Sequence, residues 1–393
     1  MKPPWTAWIP GVLRKSQIKE LWDNGLIMGE GPPDNALDQS SIDLTLSGEA
    51  FKMNKGSVKP PGSFAYDWFI EHEKLGQRIS ASSDGSFKLD AKETYVFKLR
   101  ERLHRSLADA QIYGQATAKS SVGRVDVLAR LIVDGMDSYE GFTPNGLKRL
   151  AGDMYLEITP ITFNVRVKPG IGLTQLRLFY GDPRNVEMKG ELLFRTILHG
   201  SDQTDGSLCL DLTNETIGEC PVAAFCADSP SSHGEAIPLW KEEDSQKPDP
   251  CRHWKFVTSD ESKRLMIEKD KFYLLRSKEK ISVPPGIAIY CRASDETIGE
   301  MRIHYAGFAH PFFGYERSDG AEGTPLIFEV RGHQVNVTLA HGEKMANLSF
   351  YRMSIDCDKE ESSYQKQTLD LSKFFGPWPG KLKVGKDGTV EKA

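Results

Sequence analysis

One stretch of this chain occurs twice. Tyr155 to Tyr180 reads YLEITPITFNVRVKPGIGLTQLRLFY and Ile327 to Arg352 reads IFEVRGHQVNVTLAHGEKMANLSFYR, and the two align without a gap at a constant offset of 172 residues, so that Glu157 answers Glu329. Asn164 and Asn336 follow the first strand of each copy, Gly170 and Gly342 turn the chain, and Leu176 and Leu348 lie in the return strand. Each copy reads as a hairpin. A repeat of this span restricts the fold to two similar units.

The similarity extends outward from these hairpins. ETYVFKLRERLHRSLADAQIYGQATAKSSVGR parallels KFYLLRSKEKISVPPGIAIYCRASDETIGE, with Tyr95 answering Tyr273 and Gly123 answering Gly299, and QSSIDLTL has a weaker echo in CLDLT. Ile42, Leu44 and Leu46 alternate with polar residues as in a half-buried strand. Many short strands with Gly and Pro between them predict a mainly β fold, built from tandem barrels or sandwiches with a few short helices. One helix is expected over Ser16 to Asn24, where Ile18, Leu21 and Trp22 share a face and Gly25 ends it. The expected domains are residues 1–200, residues 201–356 and a C-terminal segment, 357–393. Residues 54–91 read as a long excursion, 228–252 as a polar insertion, and the charged end of the chain as disordered.

A length of 393 residues suits two domains of ordinary size. The net charge of −5 and pI near 6.0 argue against a nucleic-acid or membrane surface, so an anionic ligand would need a local basic pocket. The six cysteines show no CxxC pair and read as reduced thiols. With neither a leader-like apolar segment nor a run long enough to span a bilayer, a cytoplasmic protein is expected.

Ala118 to Arg124 reads AKSSVGR. Two cations and two hydroxyls among small residues suit a phosphate chain, and a solvated turn is the plainer alternative. GQATAKS is not a P-loop, because it lacks the second glycine before the lysine. Glu157 and Glu329 stand in apolar strand starts; each either faces solvent or enters a pocket, where burial would raise its pKa and suit it to general base work. His233-Gly234-Glu235 matches half of a zinc deaminase pattern, but Trp254 stands where the second cysteine should be, which argues against zinc. His304 to Gly314 forms a polar and aromatic patch suited to core packing or to lining a pocket.

Together, QSSIDLTL, AKSSVGR, GDMYLEI, HYAGF with its later FEV, and SYQKQ resemble, in that order, the dCTP deaminases of the trimeric dUTPase-like fold, especially their long, duplicated bacterial form. The resemblance covers most of residues 13–375. It implies two tandem distorted β-barrels, a trimer with active sites between barrels, and conversion of dCTP and water to dUTP and ammonia without zinc, magnesium accompanying the triphosphate. By the same resemblance Ser120, Ser121 and Arg124 bind the triphosphate and help orient the attacking water, with Lys119 beside them on the nucleotide. Glu157 or Glu329 is the base, the backbone near Ala306 receives cytosine, and Tyr364, Gln365 and Gln367 close over the nucleotide.

The two copies depart from that pattern in opposite ways. Copy 2 has Ser294-Asp295-Glu296-Thr297 where the phosphate turn should be, and His310 at a position where the family favours Asp. Copy 1 has Val133-Asp134-Gly135-Met136 in place of the base-binding strand and no YQxQ segment after it. The expectation is therefore a composite site, with the phosphate turn from copy 1 and Glu329, Ala306 and Tyr364 from copy 2. A trimer of copy 1 using Glu157 is the competing arrangement. The rival functions are dUTP diphosphatase, a bifunctional enzyme, or a catalytically silent nucleotide-binding regulator.

Overall fold

The structure is a computed structural model that describes residues 7–30, 36–150, 152–200, 205–228, 235–293, 301–304 (backbone only), 307–315, 323–358 and 368–393. The expected opening helix forms as α1 (Lys15–Asp23), which buries Ile18 and Leu21. Gly25 follows it at φ +68°, the left-handed conformation that glycine adopts without a Cβ penalty.

Alternating apolar residues build the first sheet from β1 (Ser41–Met53), β2 (Tyr95–Leu103), β3 (Ile112–Ala118), β4 (Val127–Val133), β5 (Gly141–Phe142), β6 (Gly152–Pro160) and β7 (Gly172–Tyr180). Their order across the sheet is β5-β3-β7-β1-β2-β6-β4. The second sheet contains β8 (Ser207–Asp211), β9 (Phe272–Ile281), β10 (Ile287–Ala293), β11 (Met301–His304), β12 (Phe308–Ala309), β13 (Thr324–Gly332) and β14 (Lys344–Arg352). Here the order is β12-β10-β14-β8-β9-β13-β11, the same path with each label raised by seven. The protein is mainly β, the first sheet a nearly closed barrel and the second a curled half-barrel.

The repeated stretch is not a hairpin. In copy 1, β6 pairs with β2 and β4, whereas β7 pairs with β1 and β3, so the two strands lie apart in the same sheet. Copy 2 repeats this separation, with β13 on β9 and β14 on β8 and β10. Alternation of side chains reports that a segment is a strand, not which strand lies beside it.

Three irregular regions also carry more structure than their composition suggests. The excursion contains α2 (Tyr66–His72) and the strand Phe87–Leu89, which pairs with Val165–Val167. The insertion continues that small sheet, since Ile237 and Pro238 run parallel to Val165 and Arg166. The C-terminal end forms a two-stranded ladder, Leu382–Val384 on Val390–Lys392, rather than a disordered tail. Before it, Phe375 is buried against Phe163, Trp254 and His253 at ring-centroid distances of 6.0, 5.8 and 5.4 Å.

The two sheets share interior. One apolar cluster joins Leu44, Val122 and Phe163 of the first copy to Phe225, Trp254 and Leu274 of the second and to Phe374 of the tail. Glu187–Met188 and Leu198–His199, which a boundary at residue 200 would place with the first copy, pair with β14 and β9 of the second sheet. Among the described residues, no helix is long and apolar enough to cross a membrane.

Candidate active site

The segment AKSSVGR leaves β3 and at once makes the single helical turn α3 (Ser120–Gly123). Backbone bonds from Val122 N and Gly123 N to the Lys119 carbonyl, at 2.8 and 3.1 Å, close the turn, and Arg124 N bonds to the Ser120 carbonyl at 2.9 Å. Ser120 and Ser121 are half-buried, while Val122 and Gly123 face the core. Lys119 pairs with Asp43 of β1. Burial raises the Asp43 pKa, against the pull of the Lys119 charge.

The tail lies across this turn. Ser372 Oγ donates to the Ser121 carbonyl at 2.6 Å, and Arg124 Nη1 donates to the carbonyls of Asp370 and Leu371 at 3.3 and 3.4 Å. Arg124 Nε also donates to Ser120 Oγ at 3.1 Å. These acceptors, two carbonyls of the tail and a hydroxyl of the turn, hold the guanidinium over α3.

Copy 2 delivers a carboxyl to the same turn. Glu329 stands in β13 between Leu274 of β9 and His304 of β11, and is 3 % exposed. Its carboxyl lies against Gly123, where a Cβ would meet Oε2 at 2.1 Å. Glycine is needed there for space. Oε2 is buried with no hydrogen-bond partner among the described residues. Burial pushes the Glu329 pKa well above the ordinary carboxylate range; the Arg124 charge opposes this and the Asp126 charge adds to it. A buried acid that readily holds a proton, beside a basic turn, is equipped for proton transfer on an anionic ligand.

Glu157, at the equivalent place in copy 1, sits in different surroundings. It is buried in β6 directly across from Arg130 of β4, whose Nε donates to Oε1 at 3.0 Å. Ser57 Oγ donates to the same oxygen at 3.0 Å, and Tyr139 OH to Oε2 at 3.3 Å. The Arg130 guanidinium lies 4.2 Å from the centroid of the Tyr139 ring. Both carboxylate oxygens are therefore engaged inside copy 1, away from the Lys119 to Arg124 turn. A charged Arg130 within the apolar run VLARLIV was the sequence signal for this pairing.

The structure thus gathers Lys119, Ser120, Ser121, Arg124 and Glu329, and leaves Glu157 apart. Ala306, Tyr364, Gln365 and Gln367 lie outside the described residues, as do His233 and Ser294 to Thr297. Trp254, where a zinc pattern would need cysteine, is buried in the core. His310 ties copy 2 to copy 1: Nδ1 lies 2.8 Å from Ser40 Oγ and Nε2 3.3 Å from Gln175 Oε1. Burial lowers its pKa to about 4, so the ring is neutral at pH 7. Two nearby residues escaped sequence reasoning, Asp126 of the turn and Arg331 of β13, which pair with each other across the copies. Their signal was spacing alone, two residues beyond Arg124 and two beyond Glu329.

Comparison with known proteins covers most of the chain. The family model described as the N-terminal domain of 2'-deoxycytidine 5'-triphosphate deaminase matches residues 9–182, and the one for the C-terminal domain of that enzyme matches residues 196–375. The crystal structure of 2'-deoxycytidine 5'-triphosphate deaminase from Agrobacterium tumefaciens superposes with a TM-score of 0.75 at 26 % identity, over 88 % of this chain and 99 % of that one. No curated protein matches in sequence.

Proposed function

This chain belongs to the dCTP deaminase family, and from that premise we propose that it converts dCTP and water to dUTP and ammonia, with Glu329 as the proton-transferring group and without zinc. The observation that carries this reading is the contact of the buried Glu329 carboxyl with Gly123 of the turn that also presents Lys119, Ser120, Ser121 and Arg124.

The raised Glu329 pKa suggests an order of steps. The neutral acid gives its proton to N3 of cytosine, which makes C4 electrophilic. The resulting carboxylate takes a proton from the water that attacks C4. That proton passes to the amino nitrogen, the C4–N bond breaks, and ammonia leaves. The C4 hydroxyl then returns its proton to Glu329 as the carbonyl forms, so the acid is regenerated: N3 keeps the proton that Glu329 first gave, one hydrogen of water leaves on ammonia and the other ends on Glu329.

The remaining roles follow from charge. Lys119 and Arg124, with the hydroxyls of Ser120 and Ser121, hold the triphosphate, and magnesium arrives on the phosphates as part of the substrate. Phosphate oxygens would draw Lys119 away from Asp43. Tyr364, Gln365 and Gln367 as closing residues, Ala306 as a base contact and the trimer rest on family resemblance. The matching strand paths support an origin by internal duplication.

The test is to follow ammonia, dUTP and pyrophosphate from dCTP and magnesium with the wild type, Glu329→Gln and Glu157→Gln. Ammonia and dUTP, abolished only in Glu329→Gln, is the expected result. Loss only in Glu157→Gln would move the site to copy 1. Pyrophosphate release would make the enzyme a diphosphatase or bifunctional, and dCTP binding without products would make it a silent regulator.

A further inference from the structure

Beside the Glu329–Gly123 contact, a second link crosses between the copies. Asp126 follows α3 and closes the turn with a bond from its backbone N to the Gly123 carbonyl at 2.8 Å. It does so at φ +56°, a left-handed conformation that aspartate adopts more readily than most non-glycine residues. Its carboxylate is buried and accepts hydrogen bonds from Thr162 Oγ1 and Arg331 Nη2. Arg331 in turn donates through Nη1 to the Asp270 carbonyl at 2.9 Å. Arg331 is two residues beyond Glu329 on β13, so the two side chains leave the same face of the strand.

We infer that Asp126 and Arg331 are a positioning pair for deamination: together they hold the register between β13 of copy 2 and the α3 turn of copy 1, and so keep the Glu329 carboxyl over that turn. This rests on the reading of Glu329 as the proton-transferring group. Two observations favour it over a general strut between the copies. The pair lies within two residues of both Glu329 and Arg124, at the point where the copies must be in register. The residue 172 positions before Arg331 is Thr159, which bonds to Thr94 within copy 1 at 2.9 Å. Only the copy whose glutamate reaches the turn carries the arginine.

The experiment measures kcat and KM for dCTP on the purified full-length chain, for Arg331→Gln, Arg331→Lys, Asp126→Asn, the Asp126→Asn/Arg331→Gln double variant and Glu329→Gln. A displacement of about 1 Å at a reacting group costs on the order of 100-fold, so Arg331→Gln and Asp126→Asn should each lower kcat by at least about 30-fold with KM within about 3-fold. Because the residues act as one unit, the double variant should be no worse than the weaker single. Lysine reaches Asp126 with one bond instead of a fork, so Arg331→Lys should recover kcat to within about 5-fold of wild type while staying below it. Multiplying effects in the double variant, or wild-type kcat in Arg331→Gln, would overturn the inference. Should the glutamine variant not fold, Arg331→Lys decides: reduced kcat at unchanged KM supports the pair, and unchanged kcat removes it. An active Glu329→Gln enzyme would instead defeat the underlying assignment, whereas a dead Glu329→Gln beside a fully active Arg331→Gln defeats only the positioning pair.

Discussion

The carboxyl of Glu329 occupies the space that a side chain at Gly123 would need. A methyl group at Gly123 would meet Oε2 at 2.1 Å and the carboxyl carbon at 2.6 Å, so no side chain fits while the carboxyl stays in place. Residues more than 200 positions apart thus define one site.

Gly123→Ala should displace the carboxyl and leave the fold intact, because the added atom meets the flexible end of a side chain. The expected result is a fall in kcat on the order of 100-fold with an unchanged circular dichroism spectrum. A fully active alanine variant would show that the carboxyl has no part in the chemistry.

Glu157→Gln should behave in the opposite way. Removing one charge from a buried pair typically costs about 3–5 kcal/mol; with Arg130 28 % exposed and glutamine still able to accept its hydrogen bonds, about 3 kcal/mol is expected here. Urea unfolding measures this loss. Turnover of dCTP by the folded variant should stay within about 3-fold of wild type, since Glu157 lies apart from the α3 turn.

The raised pKa of Glu329 makes stability depend on pH with a definite sign. Relative to the unfolded chain, where a glutamate titrates near 4.5, the folded protein holds this proton more tightly. The contribution of the neutral acid is complete below pH 4.5 and is progressively lost as pH rises towards the folded pKa. Glu329→Gln, which imitates the neutral form, should therefore melt at a higher temperature than wild type at pH 8, with the gap closing near pH 4.5. An equal gap at both pH values would mean that Glu329 titrates normally.

Phe375→Ala tests whether the aromatic anchor holds the tail on the α3 turn. Truncating a buried phenylalanine costs about 3–5 kcal/mol, and here the loss falls on the segment that carries Ser372 and the carbonyls facing Arg124. Limited proteolysis should release a C-terminal fragment from the variant sooner than from wild type, and KM for dCTP should rise. Equal cleavage rates would show that the tail is held elsewhere.

Much of the fold was legible because it is local. Ile42, Leu44 and Leu46 marked a strand by alternation, Gly25 marked a helix end, and the constant offset between Glu157 and Glu329 pointed to two units with one strand path. The false hairpin came from the same source, since alternation carries no information about partners. The tail was misread because its charged end was weighed more heavily than Phe374, Phe375 and Trp378, which pack against both copies.

The candidate site divides along the same line. The sequence by itself determined which residues offer chemistry: the cations and hydroxyls of Lys119 to Arg124 are adjacent in the chain, and the two glutamates announce themselves as charges in apolar strands. Only the tertiary structure decided which glutamate meets the turn. Glu157 and Glu329 occupy equivalent strands, and local pattern cannot separate them. Burial beside Arg130 holds one in an ion pair, while burial against Gly123 leaves the other with a raised pKa and an oxygen that has no hydrogen-bond partner among the described residues. That difference arises from long-range packing, which brings charges together or keeps them apart without regard to their separation along the chain.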